Sequence, residues 1–128
     1  MGCANIAQRS VIPAILSLKK NFKLSAVASR DHKKATAFSK EFKCKSCHGY
    51  QSLIEMEGLD AVYIPLPTGL HSEWINKSLD AGLHVYAEKS FAMDFNDAVF
   101  MVENAKKKSL GLMEGYMFQY HPQHIYMK

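Results

Sequence analysis

Five short stretches of this chain place reactive side chains at spacings that suggest chemistry. "GCANIA", residues 2–7, has the first glycine of a G-x-G-x-x-G/A turn, with Ala4 for the second glycine and Ala7 as the permitted third alanine. Small residues there let the backbone approach a pyrophosphate, whose charge a helix N-terminus stabilises. In "ASRDHKK", Ser29, Arg30 and Lys34 offer a hydroxyl and two cations, a set suited to a phosphate that a carboxylate would repel. "IPLPTGLH" contributes Leu66, Pro67, Thr68 and His71, and "AEKS" sets Glu88 beside Lys89. "CKSCH" puts Cys44, Cys47 and His48 in the C-x-x-C-H spacing of covalent haem attachment. Each stretch also has a plainer reading: a tight turn before a helix, a helix start capped by Asp31, a hydrogen-bonded histidine in a first turn, a surface ion pair, and buried thiols.

Composition narrows the classes. The chain has 128 residues, enough for one domain with a sizeable core. It is 48% hydrophobic and 22% charged, which excludes a disordered chain. No apolar run reaches the roughly 20 residues of a membrane span, and the N-terminus lacks the pattern of a secretory signal. The net charge of +4 comes from scattered lysines, a solvated surface rather than a nucleic-acid groove. Three cysteines, an odd number, make no disulfide framework, so a reducing cytoplasmic setting is expected.

The elements that must position the five stretches follow from periodicity. A β-rich run over Leu24–Ser29 precedes "DHKKATAFSKEF", a helix with Asp31 as N-cap and Ala35, Phe38 and Phe42 as its apolar stripe. "CKSCH" falls at a short strand, "GYQSLIEM" reads as a short helix, and "LDAVYIPLP" reads as a buried strand stopped by Pro65 and Pro67. "HSEWINKSLDAG" is a helix with Trp74, Ile75 and Leu79 on one face, closed by Gly82, and Thr68 is its expected cap. "LHVYAEK" is a strand, "DFNDAVFMVENAKKKS" a helix ending in lysines, and "LGLMEGYMF" the last strand. Strand and helix alternate about every dozen residues, which predicts a doubly wound parallel α/β sheet of Rossmann type. Ligands bind such sheets at the carboxyl ends of the strands, where the stretches around Ser29, Leu66, Glu88 and Tyr116 fall. No strand precedes Gly2, so the sheet is expected to lack its first, central strand.

Taken together and in order, these stretches resemble the glucose–fructose oxidoreductase and inositol dehydrogenase family, Gfo/Idh/MocA. "GCANIA" matches its nucleotide turn, "ASRDHKKA" its 2′-phosphate segment and "IPLPTGLH" its P-N-x-x-H loop. "AEKS" matches its E-K-P motif, and "GYMFQYHPQ" the F-M-Y-R-Y-H-P segment that leads into a second domain. The resemblance implies an oxidoreductase that moves a hydride between NADP, or NAD, and a hydroxyl or ketone of a sugar, nucleotide-sugar or diol. It implies that Gly2, Ala4, Asn5 and Ile6 hold the pyrophosphate, and that Ser29, Arg30 and Lys34 hold the adenosine 2′-phosphate. Leu66, Pro67, Thr68 and His71 would line the adenine and ribose side, with Glu88, Lys89 and Gln119 near the nicotinamide. Lys89 would be the catalytic residue, polarising the reacting oxygen.

The departures from the family pattern are Thr68 for asparagine, Ser90 for proline and Gln119 for arginine. Residues 1–118 are expected to form the dinucleotide-binding domain and 119–128 to begin a substrate domain. The chain is accordingly expected to be the cofactor-binding part of a longer, homo-oligomeric enzyme, or else an inactive, truncated relative. Family members carry a cysteine near Cys44 and His-Gly-Tyr near His48, so Cys47 alone completes "CKSCH". Structural thiols, with no metal site, are the expectation there.

Overall fold

In the computed structural model, which describes residues 1–127, the alternation is realised as five parallel strands. β1 (Ala26–Ser29) pairs with β2 (Lys45–His48), with Ser29 opposite His48. β3 (Ala61–Ile64), β4 (His84–Ala87) and β5 (Leu112–Glu114) form a second sheet, with Ile64 opposite Ala87 and Ala87 opposite Glu114. Lys128, the last residue of the segment expected to begin a second domain, lies outside the described residues.

Among the described residues no strand lies between β1 and β3. Met1 and Gly2 span that gap instead. The Met1 ammonium donates to the Tyr63 carbonyl at 2.8 Å, and the Gly2 N–H donates to the Ala28 carbonyl at 2.7 Å. The two sheets are therefore stitched at their carboxyl ends by one residue each. Burial lowers the pKa of the Met1 amine from 8.0 to about 6, because the charged form loses its hydration there.

The helices begin and end where local chemistry directs. α2 (His32–Phe42) starts at Asp31, whose carboxylate accepts from the Lys33 and Lys34 N–H groups at 2.8 and 3.3 Å. Before α1 (Ile12–Ser17) the helix widens over Ala7–Val11, and the Ile12 N–H reaches back to Ala7. Pro13 follows at once; it has no N–H to continue an ordinary α ladder, which accounts for a wide turn at this point. After the short α3 (Gln51–Ile54), α4 (His71–Asp80) packs on α5 (Phe95–Lys107), and Ile64, Ile75, Leu79 and Met101 are fully buried between these two longer helices and the second sheet. Each such side chain contributes about 1.5–3 kcal/mol by leaving water. Gly82 turns the chain out of α4 with φ +82°, its N–H on the Leu79 carbonyl at 3.0 Å.

Three expectations change. The strand expected at Leu24 begins only at Ala26, and the last strand stops at Glu114. There the Gly115 N–H turns to the Ala87 carbonyl, and Met117–Tyr120 coils into a 3₁₀ turn. Thr68 does not cap α4. It opens a 3₁₀ turn, Thr68–Leu70, closed by the Leu70 N–H on the Pro67 carbonyl, and α4 starts at His71 without a side-chain cap.

Candidate active site

Most of the residues singled out in the sequence lie near the carboxyl ends of the strands, and those that line a depression fall in two rather than one. The first, of about 330 Å³, is lined by Ile6, Pro65, Leu66, Glu88, Lys89 and Met117. Here the nucleotide turn, the exit of β3, the exit of β4 and the segment after β5 meet. Pro65 and Met117 were not among the expected residues. Pro65 could have been found from its place at the end of an apolar strand; Met117 carries no chemical signal and is found only from the topology.

Gly2 sits at the closest approach. Its φ is +89°, and a β-carbon there would lie 2.5 Å from Leu66 Cδ2. Only a glycine admits both that backbone and that contact. Beyond it the helix opens with its first bond, the Gln8 N–H to the Ala4 carbonyl at 3.1 Å. The N–H groups of Asn5, Ile6 and Ala7 precede that bond and have no acceptor within the helix, the arrangement that suits an anion. These orphan donors, with the small residues before them, fit a dinucleotide pyrophosphate.

At the β4 exit the Glu88 N–H is held by the Ile64 carbonyl at 3.1 Å, and its carboxylate accepts the Tyr63 hydroxyl at 2.6 Å. Burial, and then donation to Glu88, push the Tyr63 phenol well above its usual pKa. Glu88 is only 8% exposed, whereas Lys89 is exposed; both line the depression. The Lys89–Ser90 peptide is cis.

The residues expected to hold a phosphate lie at the end of β1 and just after it. Ser29 is buried, and its hydroxyl accepts the Asp31 N–H at 3.1 Å. Arg30 and Lys34 are exposed. Lys34 lies near enough to Cys3, within the nucleotide turn, to favour its thiolate, although burial dominates and raises that thiol's pKa. The Asp31 carboxylate is engaged by the α2 cap, so it is not the free acid that would hold a ribose diol. Arg30 lines the second depression, of about 390 Å³, together with His48, Tyr50, Leu70 and Trp74.

Several of the expected residues line neither depression. His71 is fully buried, with Nε2 2.9 Å from the Leu66 carbonyl and Nδ1 3.2 Å from the Phe91 carbonyl. Its ring supports the loops around the first depression and offers no free polar atom to a ligand. Gln119 is exposed on the Met117–Tyr120 turn and lines neither depression. Pro67 and Thr68 sit at the loop between the depressions without lining either. "CKSCH" forms β2 and the residue before it. Cys47 packs on the larger core and Cys44 on the smaller one with Val27 and Phe38, so the two thiols serve different layers. His48 Nε2 lies 3.1 Å from the Arg30 carbonyl. Among the described residues no group of three His, Cys, Asp or Glu side chains converges as a metal ion would require.

Comparison with known proteins gives the family and the fold. Residues 1–116 match the family model of the Gfo/Idh/MocA oxidoreductases, described as their NAD-binding Rossmann fold. The chain belongs to this family. Among Gfo/Idh/MocA relatives, the dTDP-3,4-didehydro-2,6-dideoxy-alpha-D-glucose 3-reductase of Saccharopolyspora spinosa is 44% identical over 124 residues, 97% of this chain and 37% of that protein. The D-xylose 1-dehydrogenase (NADP(+)) 2 of Haloferax volcanii is 37% identical over 123 residues, 95% of this chain and 37% of that protein. The 3-ketoreductase KijD10 of Actinomadura kijaniata, solved with NADP and TDP-benzene, superposes with a TM-score of 0.93 at 41% identity, covering 98% of this chain and 38% of that one. The chain thus spans little more than a third of the length of these relatives.

Proposed function

We propose that this chain is the cofactor-binding part of an NADP-preferring oxidoreductase that interconverts a hydroxyl and a ketone on a sugar or nucleotide-sugar. The observation that carries the reading is the first depression, where Lys89 and Glu88 meet Ile6 of the nucleotide turn and Leu66 of the β3 exit. The relatives named for reduction of a dTDP-keto-sugar and for NADP(+)-dependent oxidation of xylose support the class of substrate. Residues 119–128 lead, on this reading, into a substrate domain.

When bound, the nicotinamide supplies or accepts the hydride at the sugar carbon. The chain's own groups do the rest. The orphan N–H groups of residues 5–7 hold the pyrophosphate, and Gly2 and Ala4 keep the approach clear. Arg30 and Lys34, with the Ser29 hydroxyl, hold the 2′-phosphate. In the reductive direction the Lys89 ammonium donates to the carbonyl oxygen as charge develops on it; in the oxidative direction it lowers the cost of removing the hydroxyl proton. Glu88 is kept in place beside it by Tyr63 and Ile64.

Titration of the chain with NADPH and NADH, followed by nicotinamide fluorescence, tests this. NADPH should bind more tightly. Arg30→Ala should weaken NADPH roughly 10- to 100-fold, the value of one charge-assisted phosphate contact, and leave NADH nearly unchanged. Equal and negligible binding of both cofactors would refute the proposal.

A further inference from the structure

Lys89 stands on a loop that has Ser90 where the family pattern has proline, so something other than a proline ring must hold the backbone that carries it. Side chains from two neighbouring elements do so. The Phe91 N–H donates to Glu114 Oε1, at the end of β5, at 2.7 Å. The Phe91 carbonyl lies 3.2 Å from Nδ1 of His71 on α4, whose Nε2 lies 2.9 Å from the Leu66 carbonyl. A neutral imidazole donates to only one of these two carbonyls, whereas an imidazolium donates to both; in each form the buried ring is packed between the loops after β3 and β4. On the other side of Lys89, Glu88 is pinned by Ile64 and Tyr63. Gly115 closes the packing: a β-carbon there would come within 3.3 Å of the Ala87 carbonyl and 3.4 Å of Glu88 Oε2.

We propose that Glu114 is a positioning residue for Lys89, clamping the Phe91 N–H with the buried His71 ring packed against the Phe91 carbonyl, so that the ammonium is held at the depression that Leu66 also lines. The Glu114 side chain does not line that depression, so it acts through backbone alone. The inference rests on the reading of Lys89 given above. Glu114 is the informative position, because Gln keeps a carbonyl oxygen for the Phe91 N–H and Ala does not.

The test compares the unaltered chain with Glu114→Gln and Glu114→Ala in two measurements. The first is hydrogen exchange of the Phe91 amide, read against amides of β3. The second is the rate at which trinitrobenzenesulfonate modifies Lys89, located by mass spectrometry, with and without NADPH. Glu114→Ala should speed exchange at Phe91 by about tenfold or more while β3 stays protected. It should also change the rate of Lys89 modification and reduce the shielding that NADPH provides, with Glu114→Gln close to the unaltered chain in each. Unchanged Phe91 exchange in Glu114→Ala refutes the clamp. Faster exchange with unchanged Lys89 reactivity and shielding refutes its positioning role. If Glu114→Ala loses protection throughout β3, Glu114→Gln decides: Lys89 reactivity altered despite a protected Phe91 amide refutes the role, and unaltered reactivity supports it. If NADPH shields Lys89 in no variant, the cofactor reading fails on its own, and the two cofactor-free measurements still decide the clamp.

Discussion

Replacing Gly2 by alanine tests the geometry on which the candidate site depends. Two penalties act there. A residue with a β-carbon held at φ +89° costs about 1–2 kcal/mol. The new β-carbon would also lie 2.5 Å from Leu66 Cδ2, so that methyl must retreat by about 1 Å to reach ordinary contact. Leu66 is 7% exposed and walls the depression, so its retreat means an off-rotamer side chain, roughly 0.5–1.5 kcal/mol. Alanine recovers part of this by restricting the unfolded chain, about 0.4–1 kcal/mol. The net expectation is a loss of about 2 kcal/mol in urea unfolding. The second penalty needs Cδ2, whereas Leu66 Cγ would be 3.6 Å from the new atom, an ordinary contact. In a Leu66→Val background, Gly2→Ala should therefore cost about 1 kcal/mol less than it does alone. Equal costs in the two backgrounds, within the ~0.3 kcal/mol of ordinary additivity, would show that the turn does not meet Leu66 and that the depression is wrongly assembled.

Two further outcomes follow from the same contacts. In a polypeptide beginning at Met1, the unfolded amine keeps its proton up to about pH 8 and the folded one only up to about 6, so unfolding takes up a proton between those values. Stability should then rise from pH 6 to 8 by about 3 kcal/mol and level off above that range; a ¹⁵N titration of the Met1 amine with a midpoint near 8 would contradict it. Asp31→Ala removes the acceptor for the Lys33 and Lys34 N–H groups and should lower stability by about 1 kcal/mol, while Asp31→Asn restores most of it; equal losses in the two variants would mean that the cap does not hold α2.

The order of strands and helices was legible because local pattern and tertiary need agree. Asp31 caps and Gly82 terminates whatever packs above them, and Ile75 and Leu79 fall on the one face that meets the sheet. The grouping of Leu66, Glu88 and Lys89 was legible too, since parallel strands deliver their following residues to one edge, and Ile6 joins them from the turn that Gly2 ties to β1. What escaped was anything decided by a long-range partner. His71 reads as a hydrogen-bonded first-turn residue or as a ribose neighbour, but its partners are not legible: helix side chains point back toward the N-terminus, and here that direction leads under the β3 and β4 loops. Glu114 reads as a strand residue of no special note until Phe91 is brought opposite it. Trp74, expected on the buried stripe, is only half-buried and meets Tyr50 edge-on at 5.1 Å between ring centres, because the second depression opens beside it.

The same physics explains why the two halves of the site are built differently. At the carboxyl end of a parallel sheet each strand leaves its last peptide groups without a ladder partner, and buried ones must find another. Around β1 the solution is local: Ser29 and Asp31 satisfy N–H groups two or three residues onward, and Arg30 and Lys34 stay exposed. Around β4 the partners come from afar, with Tyr63, His71 and Glu114 each reaching a loop distant in sequence. A locally capped turn tolerates change in its neighbours, whereas a loop pinned from three elements moves when any one of them does. On the roles proposed above, the charge that selects a phosphate needs only to be present, whereas the charge beside a reacting oxygen must be placed, and the more distant bracing lies on the side where placement would matter.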